Sequence, residues 1–173
     1  PDRLHGVALI APLQAAAAEQ LQRLHQEHGV QGMRLYPITH KDASWLADEG
    51  QNRLWEMARE LAVTFTWFGR CHQIPLLEPM LQRFPEVNVI VDHLGEPDLS
   101  TGLHGDFKLL LDAAKHRNLY VKATRIDGMS EQPWPHRDIH PYLKALYEAF
   151  GPDGNTPSGP KASYNALRYG WIS

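Results

Sequence analysis

The sequence predicts an α/β fold in which the strands of a parallel sheet alternate with helices. Five short runs rich in branched and aromatic apolar residues alternate with segments of helical pattern. Their midpoints, at Ala8, Arg34, Phe65, Ile90 and Lys122, lie 25 to 32 residues apart. Strands that are apolar on both faces are typical of a parallel sheet with crossover helices. The closed eight-stranded barrel and the open doubly wound sheet both use this unit, and the pattern alone leaves the choice open.

Each predicted element has a recognisable composition and a recognisable end. The predicted strands are residues 7–10, 32–37, 63–68, 87–92 and 119–124. The predicted helices are residues 13–28, a helical stretch that ends near residue 61 and is broken near Gly50, and residues 75–83, 105–117 and 141–150. Gly29 and the Phe84-Pro85 pair are typical helix stops. Residues 1–153 are therefore predicted to form one domain.

Residues 154–173 differ from the rest of the chain. They contain no acidic residue and show neither helical nor strand periodicity. A divergent, disordered tail is predicted there.

The net charge and the cysteine content limit which partners and which cellular location are expected. The chain has 17 basic and 20 acidic residues and a formal net charge of −3, without long runs of one sign. Nucleic acid and anionic membranes are therefore not expected as partners, and a small-molecule substrate is. The single cysteine, Cys71, cannot form an internal disulfide, so a cytoplasmic location is predicted. The chain begins at Pro1, which suggests that it was cut from a longer one.

The sharpest local signal is Val-Asp-His-Leu-Gly at residues 91–95, at the end of a buried strand. A period of two places His93 on the same face as Val89 and Val91, and Asp92 on the opposite face. The carboxyl end of a strand is where α/β folds bind ligands, so His93 is a candidate catalytic residue. A half-buried structural histidine explains the pattern equally well.

Two charged residues lie within apolar strands, where a charge is costly unless it is paired. The guanidinium of Arg34 suits a carboxylate, either of the protein or of a substrate. Lys122 and Thr124 are two residues apart and therefore share one face, where they are candidates for substrate or anion contact.

Other residues give weaker signals. His136 and His140 have the spacing of two ligands on a helix, but the prolines around them make a regular helix doubtful. Cys71 and His72 could be a nucleophile and a base, although adjacent residues rarely face each other. The tryptophans are predicted to pack the interior, with Trp67 able to line the mouth of a barrel: Trp45, Trp55, Trp67 and Trp134.

Six segments follow one another in a characteristic order and spacing: Gly6-Val7-Ala8, Gly32-Met33-Arg34-Leu35, Arg83-Phe84-Pro85, the segment from Val91 to Pro97, the segment from Asn118 to Thr124, and the segment from Ala149 to Asp153. Together they resemble the amidohydrolase-2 family of metal-dependent hydrolases, which includes sugar lactonases and pyrone dicarboxylate lactonase. The resemblance implies an incomplete (β/α)8 TIM barrel that supplies strands three to seven with their helices. It also implies that His93 is catalytic or substrate-binding and that Arg34 holds a substrate carboxylate. Lys122 matches a usual lysine of the family, and Thr124 stands where the family often has serine.

The departures from the family pattern limit the predicted activity. The family opens with His-x-His, which this sequence lacks, and its eighth strand ends in an aspartate that has no counterpart from Gly154 onward. The family often uses a divalent metal such as zinc, but most ligand positions are absent here. We therefore expect the parent protein to hydrolyse a lactone or a related carboxylate-bearing cyclic substrate, and this chain alone to be inactive. Two alternatives remain: a non-catalytic module that binds a small acid, and an assembly module whose sheet edges pair with another copy in a homo-oligomer.

Overall fold

A computed structural model describes residues 5–37 and 43–151 of the chain. Its centre is a five-stranded parallel sheet in the order β1-β2-β3-β4-β5. The strands are β1 (Val7–Leu9), β2 (Gly32–Leu35), β3 (Thr64–Trp67), β4 (Val89–Val91) and β5 (Leu119–Val121). All five predicted strands are present, each shorter than predicted.

Helices connect the strands in the predicted order. They are α1 (Ala17–His28), α2 (Asn52–Glu60), α3 (Ile74–Arg83), α4 (Phe107–Asp112), the single-turn α5 (Ile126–Met129) and α6 (His140–Phe150). The α1 helix begins four residues later than predicted, because residues 13–16 form turns and Ala17 is the first residue of this segment to be buried. As predicted, α1 ends at Gly29, whose left-handed backbone (φ 65°) donates hydrogen bonds back to the last turn.

The strand order distinguishes between the two architectures that the sequence left open. A doubly wound sheet reverses its strand order at a switch point and carries helices on both faces. In the described residues, strands that are neighbours in the sheet are also neighbours in the chain throughout. This singly wound order is that of a (β/α) barrel. The prediction of an incomplete barrel is confirmed, and the doubly wound alternative is excluded.

One face of the sheet packs against the helices and forms the core. Strand residues on this helix-covered face, such as Met33, Phe65 and Val89, are completely buried. Trp55 of α2 packs edge-on against Phe65, with 4.8 Å between the ring centroids, and stacks on Phe84 at 5.8 Å. The apolar area buried here is the main source of stability of the domain.

The other face, called the inner face below, carries Arg34, Thr66, Ile90 and Tyr120, which lie opposite one another in neighbouring strands. At its β1 edge, Val7 and Leu9 are 54% and 73% exposed. The second side of β1 pairs with no strand among the described residues. The prediction that such an edge pairs with another copy stays a prediction.

Three further expectations have different outcomes. Trp55 and Trp67 are buried as predicted, but Trp67 faces the helices and Trp134 is 70% exposed, so the predicted packing of Trp134 is wrong. Trp134 lies in a turn between two prolines, where its ring meets the His136 ring edge-on at 6.0 Å between centroids instead of packing in the interior. None of the helices within residues 5–37 and 43–151 is long and apolar enough to cross a bilayer. The predicted tail, at residues 154–173, lies outside the described residues.

Candidate active site

A cluster of charged side chains lies at the carboxyl ends of the strands, on the inner face, with Asp92 at its centre. Asp92 follows β4 directly, and its side chain is only 2% exposed. One carboxylate oxygen accepts a hydrogen bond from the Arg34 guanidinium, and the other accepts one from Nζ of Lys122 at 2.9 Å. Arg34 comes from β2 and Lys122 follows β5, so the two ion pairs connect three strands.

The two cations are less buried than the carboxylate between them. The side chains of Arg34 and Lys122 are 37% and 36% exposed. Sequence reasoning left open whether Arg34 pairs with a carboxylate of the protein or of a substrate. The structure shows the protein's own carboxylate, Asp92, as its partner. Both cations nevertheless keep donors that reach the solvent side, since each carries more N–H groups than this contact uses.

His93 lies beside this cluster because the strand geometry ends before it. Its backbone has a φ of 55°, so the alternation of faces stops there. Nδ1 of His93 lies 2.8 Å from the Thr124 hydroxyl oxygen, within hydrogen-bond distance. The ring also meets Phe68 edge-on, at 5.3 Å between centroids. The prediction that His93 and Asp92 lie on opposite faces is therefore wrong, because it extended the period of two beyond the last extended residue.

Phe68 connects the histidine to the charged cluster. The Arg34 guanidinium lies over the Phe68 ring at 5.4 Å from its centroid, a cation–π contact. Tyr36 packs on the same ring at 5.1 Å. The structure thus brings together all four residues that the sequence singled out, Arg34, His93, Lys122 and Thr124. It adds Asp92 and Phe68, which sequence reasoning did not assign to the site.

The electrostatic surroundings favour a neutral His93. Burial lowers the pKa of His93 below its usual value, because desolvation disfavours the charged ring. The Asp92 carboxylate opposes this shift, while Arg125 adds to it. A neutral imidazole next to a hydroxyl can accept or pass on a proton.

The backbone after His93 is tightly constrained. Leu94 and Glu96 also have positive φ angles, of 55° and 44°. Gly95 has a φ of 71°, and a side chain at this position would place a Cβ 2.9 Å from Sγ of Cys71, so only glycine fits. Nη1 of Arg125, itself at a φ of 59°, donates to the Glu96 carboxylate at 2.8 Å across the rim of the site. Backbone strain of this kind is typical of functional sites.

An apolar cleft of about 460 Å³ lies at the end of β1. It is lined by Leu9, Ile10, Ala11, Pro12, Leu13, Tyr36 and Trp45. Tyr36 joins this cleft to the charged cluster through its contact with Phe68. An apolar cleft next to a few convergent polar groups is the usual form of a small-molecule site.

The described residues do not fit a divalent metal ion. No three side chains of His, Cys, Asp or Glu among residues 5–37 and 43–151 gather as ligands would. Both oxygens of Asp92 already accept from cations, and Nδ1 of His93 faces a hydroxyl. A metal would have to compete with two positive charges for the only buried carboxylate of this cluster.

The weaker candidates have local structural roles. His136 lies in a loop and bonds to the carbonyl of Gln132, whereas His140 begins α6 and bonds to that of Pro135, so the two do not share a helix. Cys71 is fully buried, and burial raises the pKa of its thiol, which bonds to the Leu94 carbonyl instead of acting as a nucleophile.

Comparison with known proteins identifies a matching family model and a curated relative. The family model Amidohydro_2, described as Amidohydrolase, matches residues 1–154. A 4-sulfomuconolactone hydrolase of Rhizobium radiobacter is 28% identical over 146 residues, which cover 82% of this chain and 47% of the relative.

Solved structures give the same architecture. A putative 2-pyrone-4,6-dicarboxylic acid hydrolase of Pseudomonas putida is 25% identical with a TM-score of 0.69, and the match covers 90% of this chain and 56% of the other. A probable 2-pyrone-4,6-dicarboxylic acid hydrolase of Acinetobacter baumannii, solved with citric acid bound, has a TM-score of 0.74 at 18% identity, covering 90% and 57%. An amidohydrolase of Burkholderia multivorans with bound zinc also has a TM-score of 0.74 at 18% identity, covering 89% and 57%. The chain spans about half the length of these relatives.

Proposed function

The chain belongs to the amidohydrolase family, and we propose that it forms the carboxylate-binding half of a lactone-hydrolase active site. Its ligand is a small cyclic compound that bears a carboxylate. The observation that carries this proposal is the pair of half-exposed cations, Arg34 and Lys122, held by the buried Asp92 carboxylate. Two cations fixed in this way bind an anionic group with little ordering cost.

Each neighbouring residue has a role in this proposal. Arg34 and Lys122 bind the substrate carboxylate, since a guanidinium can hold a carboxylate through two N–H groups. The apolar cleft beside Tyr36 accommodates the ring. His93, oriented by Thr124, faces the reacting group as a proton acceptor or donor.

The relatives support the substrate class. The names of three of them specify hydrolysis of a lactone or a pyrone that carries acidic groups, and one of the three was solved with citric acid, a polycarboxylate. A site that offers two cations next to an apolar cleft fits such molecules. The site suits neutral lactones less well, because they lack an anionic group for the two cations to bind.

A second candidate is binding without turnover. Hydrolysis requires a group that activates water, commonly a metal ion with several ligands. The described residues hold no such ligand set, and the only carboxylate within the cluster is occupied by cations. We expect the 173-residue chain to bind the ligand and not to hydrolyse it. Release of the ring-opened acid by this chain, monitored by loss of ring absorbance, would favour the enzyme over the binding module.

The test is a calorimetric titration with 2-pyrone-4,6-dicarboxylate, with neutral 2-pyrone as the matched ligand. The wild-type chain should bind the dicarboxylate and not the neutral ring. Arg34→Met should weaken binding about tenfold or more, since a hydrogen bond to a charged group contributes roughly 1.5–3 kcal/mol. Arg23→Met, which removes an exposed arginine from α1, serves as the control and should leave binding unchanged. Equal binding of both ligands, or equal effects of the two substitutions, would contradict the proposal.

A further inference from the structure

Asp92 differs from the other members of the cluster because it is acidic in a site that we propose binds acids. A buried carboxylate repels an anionic ligand, so its presence needs a physical reason. Its side chain is 2% exposed, and both of its oxygens accept from cations of other strands. With Arg34 and Lys122 each counted as +1 and Asp92 as −1, the three side chains carry a net charge of +1.

We infer that Asp92 sets both the position and the charge of the anion site, and so restricts it to a ligand group with a single negative charge. This inference rests on the proposed function. A carboxylate or a sulfonate carries one charge and neutralises the site. A phosphate dianion would leave an excess negative charge beside the Asp92 carboxylate, in a partly desolvated place where repulsion is strong.

The geometry supports a positioning role for Asp92. Arg34 is on β2 and reaches across β3 to the residue that follows β4. Lys122 reaches the other oxygen from the opposite side. The carboxylate thus holds the two long side chains toward one another. Without Asp92, their mutual repulsion would separate them.

The inner face next to this cluster also carries a buried polar group whose hydrogen bonding is incomplete. Thr66 lies between Arg34 and Ile90 in the sheet, is 7% exposed, and its hydroxyl oxygen has no hydrogen-bond partner among the described residues. A buried hydroxyl without a partner costs free energy unless a ligand or a water satisfies it. The Thr66 hydroxyl therefore indicates that a hydrogen-bonding group of the ligand lies on the inner face, next to Arg34 and Lys122.

The test uses four forms of the 173-residue chain, in which the anion site carries a net charge of 0, +1 or +2. Lys122→Met gives a net charge of 0, the wild type +1, and Asp92→Asn +2, while the double variant Asp92→Asn/Lys122→Met returns to +1. Two nearly isosteric ligands, phenyl sulfate with one negative charge and phenyl phosphate with two at pH 8, are titrated against each form. The measured quantity is the ratio of the two association constants, phosphate over sulfate.

The expected ratio rises about tenfold, or about 1.4 kcal/mol, for each added unit of site charge. The double variant should have the wild-type ratio, because its net charge is restored although Asp92 is gone. A purely structural role for Asp92 would weaken binding of both ligands together and leave the ratio unchanged. The same ratio in all folded forms, or a double variant that behaves like Asp92→Asn, would overturn the inference.

Folding of each form is checked by circular dichroism and thermal melting. If Asp92→Asn fails to fold because it leaves two cations without their carboxylate, the other three forms still decide the outcome: the ratio should be about tenfold lower in Lys122→Met, at a net charge of 0, than in the wild type and the double variant, both at +1. The Arg23→Met variant controls for a change in overall charge and should keep the wild-type ratio. Failure of the wild type to bind either anion would refute the proposed function itself. Binding with a constant ratio would refute only the role of Asp92.

Discussion

The two faces of the sheet are built from adjacent residues of the same strands but follow different physical rules. In β3, Phe65 and Trp67 face the helices and are completely buried, whereas Thr66, between them, faces inward and its hydroxyl has no hydrogen-bond partner within residues 5–37 and 43–151. In β2, Met33 and Leu35 are completely buried, whereas Arg34 is an inward, half-exposed cation. The helix-covered face is optimised for packing, and the inner face places charges where a ligand can reach them.

This difference teaches where stability and function lie in the molecule. Close packing makes the helix-covered face intolerant of lost volume. The inner face instead holds polar groups that are costly to bury, and a fold keeps such groups when they have another use. Substitutions on the two faces should therefore change different measured quantities.

The largest effect on stability is expected from the helix-covered face. Phe65→Ala should lower the free energy of unfolding by about 3–5 kcal/mol, because it leaves a cavity under Trp55 that the structure cannot close. Urea denaturation measures the loss. Val7→Ala, at an inner-face residue of β1 that is 54% exposed, is the matched control and should change stability by less than about 0.5 kcal/mol. Similar losses for the two variants would abolish the distinction between the faces.

A smaller effect of opposite sign is expected at the neighbouring residue of the same strand. Thr66→Val replaces a buried hydroxyl, which has no hydrogen-bond partner in the part of the chain that the structure describes, with a methyl group of nearly the same volume. The free energy of unfolding should stay the same or rise by up to about 1 kcal/mol, since a desolvated polar group is removed. Affinity for a carboxylate ligand should fall. A loss of stability of more than about 1 kcal/mol would show that the hydroxyl is satisfied within the folded protein.

The smallest expected effect on stability comes from protonation of His93. Its folded-state pKa lies below the usual histidine value of 6.5, because burial disfavours the charged ring. The unfolded chain therefore binds more protons than the folded one between these two values. The resulting contribution to stability is complete above pH 6.5 and is lost as the pH falls from 6.5 through the folded-state pKa.

Proton NMR of the His93 ring measures this midpoint directly. The midpoint should lie below 6.5 in the wild type and lower still in Asp92→Asn, because the Asp92 carboxylate favours the charged ring. His93→Gln identifies the resonance. A midpoint above 6.5 would mean that the neighbouring anions outweigh burial.

Much of the fold could be predicted from local sequence. Apolar runs at regular spacing indicated all five strands, and Gly29 marked the end of α1, because backbone conformation and burial act over a few residues. The strand ends were less predictable. The alternation stops after Asp92 because His93 and Leu94 adopt positive φ angles, which no periodicity in the sequence indicated.

The sequence predicted most residues of the candidate site but not the contacts that join them. Arg34, His93, Lys122 and Thr124 were found because charged or polar residues stood out in apolar strands. Asp92 was missed although two cations within apolar strands imply a counter-charge, and the segment that contains His93 carried one. Phe68 gave no signal, because an aromatic residue at the end of a strand is common in any core.

By itself, the sequence determined the parallel α/β class, the order of the strands along the chain and the residue types available for anion binding, because these depend on composition and short-range periodicity. Only the tertiary structure decided the singly wound order of the sheet and the joining of β2, β4 and β5 through the Asp92 carboxylate. Those contacts connect residues that are 58 and 30 positions apart. Their formation depends on how separate strands pair and twist, which no local pattern encodes.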